Sequence, residues 1–352
     1  MEPTLDKNVA FNLIITSLSP EFTSYFENAL KPLKQKYPNI NYYIFSLPIN
    51  ESYISSLKNK TISIVCCHAY LTDFIPVFLK YFSNIKWVHT LSAGVDKYFK
   101  IPELAEKMKS KEIIFTNSSG SGSDCFGEVG IAAMLYFSYN IYNYVDAMNN
   151  RKWIRPSPLN KMLKNKKLLI IGYGNNGVAL AKRAKNGFDM KIIGGVVRTI
   201  RENVNGKELI EGLYTLKNLP DKIINEADFI FATLPGTQEN SSIFDKIFFS
   251  KMNKEAVFIN VGRGTAVVED DLADALENNI IRGALLDVTQ KEPLEKESRL
   301  YKIYPRKLLI TNHSIGVVND YREKAIDFFV KCLEYHLETG KYKNLVDIAN
   351  QY

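Results

Sequence analysis

The sequence predicts an α/β protein of two domains, each built on a parallel sheet covered by helices. Three observations carry that expectation. Short β-rich runs alternate with segments of helical spacing along nearly the whole chain, the pattern of parallel strands joined by crossover helices. At 352 residues the chain has room for two cores of ordinary size. One apolar strand, KKLLII, also runs straight into G-Y-G-N-N-G and the start of a helix.

Taken in order, FNLIITSL (11–18), NYYIFSL (41–47), TISIVCC (61–67), KWVHTL (86–91) and EIIFTN (112–117) read as strands. Between them, PEFTSYFENALKPLKQKY and TDFIPVFLKYF space their apolar residues as helices do. A second series begins near residue 124 with an aromatic-rich stretch, CFGEVGIAAMLYFSYNIYNYVDAMNN, read as one extended helix. KKLLII (166–171), MKIIGGVV (190–197), DFIFATL (228–234), AVFINV (256–261), RGALLDV (282–288) and KLLITN (307–312) follow as strands, with helical segments between most of them. The tail DYREKAIDFFVKCLEYHLETG is an amphipathic helix that stops at Gly340.

Composition narrows the function classes. With 46% hydrophobic and 24% charged residues the chain resembles a soluble globular protein. A net charge of +7 suits anionic small molecules or phosphate-bearing cofactors, but the Lys and Arg are scattered, which argues against a nucleic-acid surface. No stretch approaches the ~18 uninterrupted apolar residues of a membrane span. VAFNLIITSL is broken by Asn12 and lacks a small-residue cleavage site, so a cytoplasmic protein is expected. The cysteines Cys66, Cys67, Cys125 and Cys332 form no C-x-x-C pair, so neither a zinc site nor a disulfide framework is expected. The CCH triplet at 66–68 invites a metal reading. Neighbours on a strand point to opposite faces, however, so core filling is expected instead, and no metal.

In KKLLIIGYGNNGVALAKRAKN, Gly172 would make the tight turn, Gly174 would admit a pyrophosphate to the backbone, and Gly177 would let helix pack on strand. Amides at the helix start would then face the diphosphate. The acidic residue that binds a ribose 2′-hydroxyl is expected ~20 residues on. No carboxylate stands between Met190 and Arg201; Arg198, Thr199 and Arg201 stand there instead. A guanidinium matches a 2′-phosphate in charge and shape, which favours NADP over NAD, with NAD as second choice. The plainer alternative is a surface loop with two arginines.

Three polar residues fall at the ends of later strands: Arg263 after AVFINV, Asp287 with Glu292 five residues on, and His313 after KLLITN. In an open parallel sheet these ends share one edge with the glycine loop, where ligands bind. Each alone has a bland explanation, as surface cation, loop acid or loop cap. Together they suit hydride reduction of a 2-oxo acid. Histidine would protonate the carbonyl oxygen, a carboxylate beside it would orient the ring and favour its protonated form, and arginine would hold the substrate carboxylate.

With these residues in hand, the chain resembles the D-isomer-specific 2-hydroxyacid dehydrogenase family over most of residues 85–318. KKLLIIGYGNNG, LPGTQEN, INVGRGTAVVEDDLADALENNIIRGALLDVTQKEPL and TNHSIG each look like a family motif, and LSAGVD (91–96) looks like its substrate loop. The wording is nearest to the glyoxylate/hydroxypyruvate reductase branch. The resemblance implies His313 as acid/base, Glu292 as its partner, Arg263 as substrate anchor, and the amides around Ala93 and Gly94 as carboxylate ligands. It places Asp287 near the nicotinamide and adds Asn175, Asn176, Leu234, Pro235, Thr237, Val261, Gly262 and Gly316 to the cofactor set. It further implies a Rossmann-type dinucleotide-binding domain (125–316) inserted into a flavodoxin-like substrate domain (1–124, completed by 317–352). The aromatic-rich helix is then either the family's dimer-forming segment, giving a homodimer through the dinucleotide-binding domain, or a long core helix.

The chain departs from the family pattern in several places. Asn175 and Asn176 stand where many members carry an arginine against the diphosphate, which lowers the expected cofactor affinity. Asn312 replaces the common proline before the histidine, so a slacker loop is expected, and Asn240 replaces a frequent threonine. Two functions remain in view. One is a reductase that makes a small D-2-hydroxy acid from a 2-oxo acid with NAD(P)H; the other is a non-catalytic NAD(P)-sensing partner protein on the same fold.

Overall fold

The computed structural model describes residues 10–57, 61–68, 70–155, 159–303 and 305–351. The stretch VAFNLIITSL begins at Val9, outside the described residues, and from Phe11 it is a buried strand. The chain divides into two compact units, Met1–Gly122 with Asn319–Tyr352, and Ser123–Val318.

The smaller unit holds β1 (Phe11–Ser17), β2 (Ile40–Ser46), β3 (Ile62–Cys67), β4 (Ile85–Thr90) and β5 (Ile114–Asn117), all parallel, in the order β2-β1-β3-β4-β5. This is the flavodoxin-like order. Helices α1 (Pro20–Lys36), α2 (Glu51–Ser56), α3 (Phe74–Tyr81) and α4 (Pro102–Lys109) link them. α1 starts where the Ser19 hydroxyl accepts the Phe22 N–H and Pro20 opens the first turn. Its buried Phe22, Phe26, Leu30 and Leu33 pack on one sheet face with Ile326, Phe329 and Leu333 of the C-terminal helix (Tyr321–Thr339). The other face is covered by Phe74, Phe78, Leu104 and Met108. Cys66 belongs to the first layer and Cys67 to the second, and both are buried free thiols. Strand alternation keeps them apart, as expected of core filling.

The larger unit holds seven parallel strands: β6 (Lys167–Ile171), β7 (Lys191–Val196), β8 (Leu213–Tyr214), β9 (Phe229–Ala232), β10 (Val257–Asn260), β11 (Gly283–Leu286) and β12 (Leu308–Ile310). Their order is β12-β11-β10-β9-β6-β7-β8, so the winding reverses between β6 and β9. That reversal marks the crevice where ligands bind in doubly wound sheets. The helices are α5 (Ser123–Ser138), α6 (Ile141–Asn149), α7 (Asn175–Phe188), α8 (Asp221–Glu226), α9 (Lys246–Lys251), α10 (Glu269–Glu277) and α11 (Leu300–Ile303). Leu168, Ile170, Phe229 and Phe231 pack with Met134, Leu180 and Ala184 of α5 and α7. Leu169, Ile171, Ile230 and Ala232 pack on the opposite side with Phe249, Leu272 and Leu276. A sheet buried on both faces explains why these strands read as continuous apolar runs.

Two details differ from the sequence expectation. The stretch read as one extended helix is two, α5 and α6, parted at Asn140, whose backbone is left-handed (φ 50°, ψ 41°). The cause is distant in sequence: Arg282, just before β11, donates to the Phe137 carbonyl and to the Asn140 Oδ1 (2.9 Å for the latter), closing the end of α5. The short strand β8 was not anticipated either; two residues carry no readable period. Among the described residues, no helix is long and apolar enough to cross a membrane, and no cluster of three or more His, Cys, Asp or Glu could hold a metal ion.

Candidate functional site

Because all seven strands of the larger sheet are parallel, the loops after β6, β7, β9, β10, β11 and β12 leave from one edge. After β6, Gly172 has φ +100°, and a Cβ there would lie 2.7 Å from the Thr233 carbonyl oxygen. Gly177 is as constrained, with Gly172 O at 2.8 Å and Ile170 Cγ2 at 2.9 Å from the same hypothetical atom. Gly174, the N-cap of α7, has nothing within 4 Å. Two glycines thus serve packing and the third leaves open space at a helix N-terminus. Tyr173 points inward, its hydroxyl donating to the Gly206 carbonyl (2.7 Å); burial pushes its pKa up to about 12. Asn175 is the first residue of α7, and Asn176 accepts from the Ser123 hydroxyl (2.8 Å) and donates to the Thr233 hydroxyl (3.3 Å).

Arg198, Thr199 and Arg201 lie exposed in the loop after β7. Arg198 is ion-paired: its Nη2 lies 3.2 Å from Glu239 Oε2 in the loop after β9. In that same loop the Pro235 carbonyl accepts from the Thr237 N–H (3.0 Å) and from the Asn240 side chain (3.0 Å). The asparagine that replaces a frequent threonine therefore holds the turn. A Cβ on Gly262 would sit 2.5 Å from the Leu234 carbonyl oxygen, so this loop is pressed between the glycines of its two neighbours.

After β10, Val261 is buried and Arg263 half-buried. Asn260, 1% exposed, spans the turn. Its Nδ2 donates to the Arg263 carbonyl (3.1 Å) and its Oδ1 accepts from the Gly262 N–H (3.1 Å). The Arg263 guanidinium donates to the Gly262 carbonyl (3.0 Å). Gly264 presses on the loop after β11, where its missing Cβ would meet the Thr289 carbonyl group at 2.0 Å. Gln290 ties the same two loops, donating from its backbone to Glu269 (2.6 Å) and from its side chain to the Val267 carbonyl (2.7 Å). Burial raises the Glu269 carboxyl above its ordinary pKa, and the Gln290 N–H partly offsets this.

His313 and Glu292 meet. Nδ1 lies 2.7 Å from Glu292 Oε2, and Glu292 Oε1 accepts the Thr289 N–H at 3.2 Å. A carboxylate only accepts, so Nδ1 carries the hydrogen and Nε2 is left for other partners. Of the four histidines, His68, His89 and His336 are buried in the smaller unit, whereas the His313 side chain is 52% exposed. Asn312 and His313 both have φ near +53°, a conformation costing about 1–3 kcal/mol outside glycine unless its surroundings enforce it. Asp287, 2% exposed, does the enforcing. Its Oδ1 accepts from the Thr311 hydroxyl (2.7 Å) and from the Ser314 and Ile315 N–H groups (3.0 and 3.3 Å), and its carbonyl accepts the His313 N–H (2.5 Å). The loop expected to be slack is therefore bonded at four points. A proline at 312 could not adopt this φ, because its ring holds φ near −65°.

Of the other candidates, Gly316 has the Phe126 ring 3.6 Å from where a Cβ would be. Ala93 and Gly94 follow β4 in the smaller unit, where the Ala93 carbonyl accepts from the Asn117 side chain (3.0 Å). Asn260 and Glu239 escaped the sequence reading. Only Asn260 left a trace, as a polar residue closing an apolar strand.

A family model described as the NAD binding domain of D-isomer specific 2-hydroxyacid dehydrogenases matches residues 131–314. The chain is 32% identical over 274 residues to a probable 2-ketogluconate reductase of Dictyostelium discoideum, covering 75% of this chain and 76% of that one. It is 29% identical over 223 residues to glyoxylate/hydroxypyruvate reductase B of Klebsiella pneumoniae, covering 62% of this chain and 66%, just under two thirds, of that relative. A solved D-isomer specific 2-hydroxyacid dehydrogenase family protein from Aeromonas salmonicida is 25% identical, with a TM-score of 0.75 over 97% of this chain and 100% of that one.

Proposed function

The chain belongs to the D-isomer specific 2-hydroxyacid dehydrogenase family, and from that premise we propose that it reduces small 2-oxo acids, glyoxylate or hydroxypyruvate in kind, to D-2-hydroxy acids with NADPH preferred over NADH. The observation that carries the proposal is the 2.7 Å pair of His313 and Glu292 on the sheet edge that also bears Arg263 and the glycine loop.

The open space at Gly174, before the amides of α7, fits a dinucleotide diphosphate. Gly172, Gly174, Asn175, Asn176 and Gly177 would hold it. Leu234, Pro235, Thr237, Val261, Gly262, Asp287 and Gly316 would line the rest, and Arg198, Thr199 and Arg201 would take a 2′-phosphate. Bound NADPH supplies the hydride. The carbonyl oxygen of the substrate needs a proton, and His313 would deliver it from Nε2, since Nδ1 is committed to Glu292. Arg263 would grip the substrate carboxylate with a planar fork and polarise the carbonyl. Asn260 and Gly264 fix where that fork begins, and Asp287 fixes the histidine's backbone. For Ala93 and Gly94 the support is the LSAGVD resemblance alone.

The curated relatives named above are reductases, which speaks for turnover over a non-catalytic sensing role. A homodimer through the larger unit is supported by exposed apolar side chains around α6, notably Met148 (79%) and Trp153 (98%), with Val145, Leu159 and Met162. A cytoplasmic location agrees with four cysteines that are all free thiols. The test is steady-state oxidation of NADPH and NADH, in parallel, against glyoxylate, hydroxypyruvate and pyruvate. Turnover faster with NADPH is expected. Tight cofactor binding without turnover on any of the three would refute the reductase reading.

A further inference from the structure

A nicotinamide cofactor without a 2′-phosphate needs an acceptor for its ribose 2′-hydroxyl, usually an acidic residue at the end of the second strand of the fold. Here that strand is β7, and from Met190 to Arg201 it offers none. The structure brings a carboxylate to the same place from another loop. Glu239 Oε2 lies 3.2 Å from Arg198 Nη2. Strands β7 and β9 flank β6, so the ion pair joins the two loops on either side of the glycine loop. Glu239 stands on a short turn, Gln238–Asn240, fixed by the Asn240 N–H on the Thr237 carbonyl (3.1 Å) and by the Asn240 side chain on the Pro235 carbonyl (3.0 Å). Both side chains of the pair are substantially exposed, 39% for Arg198 and 57% for Glu239. Such pairs are weak and exchange partners readily.

We propose that Glu239 is a specificity-determining residue that sets how strongly the chain prefers a 2′-phosphorylated cofactor. It supplies the acidic group that β7 lacks. When the ribose carries a free 2′-hydroxyl, the carboxylate is the acceptor beside it. When the ribose carries a phosphate, that phosphate must displace the carboxylate from Arg198 and then sit near a like charge. The pair makes the site tolerant of NADH and costs affinity for NADPH. This rests on the assignment of Arg198 to the 2′-phosphate made above.

The test measures dissociation constants of NADPH and NADH by nicotinamide fluorescence for the full chain and for Glu239→Gln, Arg198→Ala and the double variant. Glu239→Gln keeps the side-chain volume and removes the charge. It is expected to tighten NADPH about two- to fivefold, to weaken NADH, and to do both less in high salt, as for an exposed charge pair. In the Arg198→Ala background the same substitution should tighten NADPH less, because only the like charge, and no ion pair, is then removed. An unaltered preference for NADPH over NADH in Glu239→Gln, with that preference reduced in Arg198→Ala, would overturn the proposal and leave the Arg198 assignment standing. An equal effect of Glu239→Gln in both backgrounds would overturn it too, since the carboxylate would then act without Arg198. If Arg198→Ala leaves the preference alone, the 2′-phosphate assignment itself falls.

Discussion

Replacing Gly264 with alanine would place a methyl carbon 2.0 Å from the carbonyl carbon and oxygen of Thr289. Ordinary contact begins at 3.4 Å, so the two loops must part by roughly 1.4 Å, the difference of the two distances. The obstacle is backbone, and no rotamer change relieves it. Overpacking of this kind costs about 1–3 kcal/mol of stability. The chemistry should suffer more, because Thr289 N–H holds Glu292 Oε1, and Glu292 in turn holds His313. A displacement near 1 Å in a positioned catalytic group lowers turnover about 10²-fold. The loops assigned to the diphosphate and the 2′-phosphate follow β6 and β7, so NADPH affinity should fall much less than kcat. The assay is kcat with glyoxylate and NADPH, beside the NADPH dissociation constant and a urea melt. Adding Glu292→Gln to Gly264→Ala should cost little more, because both act on one interaction. Wild-type turnover and stability in Gly264→Ala would refute the packing argument. Loss of NADPH binding in step with kcat would refute the division of labour between loops.

Three other outcomes are expected. His313→Asn should abolish reduction while leaving NADPH binding intact; loss of binding would make the residue structural. Burial lowers the pKa of His89 to about 3 and of His68 to about 4, from an ordinary 6.5. The unfolded chain therefore binds more protons below pH 6.5, so stability is lost as pH falls from there towards 4, by about 2 kcal/mol for each histidine at pH 5. Urea melts at pH 8 and 5 should show this loss, and His89→Gln should reduce it; an unchanged pH difference in that variant would remove His89 as a cause. Trp153→Glu should yield a monomer by light scattering if the apolar surface around α6 pairs with a second copy, and an unchanged mass would exclude that surface.

How far the sequence could be read depended on how far apart the interacting residues lie. Period-two alternation is local, and by itself it assigns Cys66 and Cys67 to the different layers they occupy. The glycine loop is local too: strand, turn and helix start fall within twelve residues, so its packing glycines and its open one could be told apart by position. His313 and Glu292 lie 21 residues apart, yet they could be paired, because the parallel-sheet rule puts successive strand ends on one edge. What escaped is what joins non-successive loops. Arg282 reaches Asn140 across 142 residues and splits a helix that its own residues would continue. Glu239 reaches Arg198 across the glycine loop, and neither stretch shows a trace of the other. Asp287 was assigned to the nicotinamide by resemblance alone. Its three accepted bonds and its carbonyl show a second task, holding two consecutive left-handed residues that no pattern of hydrophobicity announces. The strain explains the investment: a histidine at φ 53° stays there only while its neighbours insist. A buried carboxylate that bonds the loop on both sides of His313 is a sufficient means.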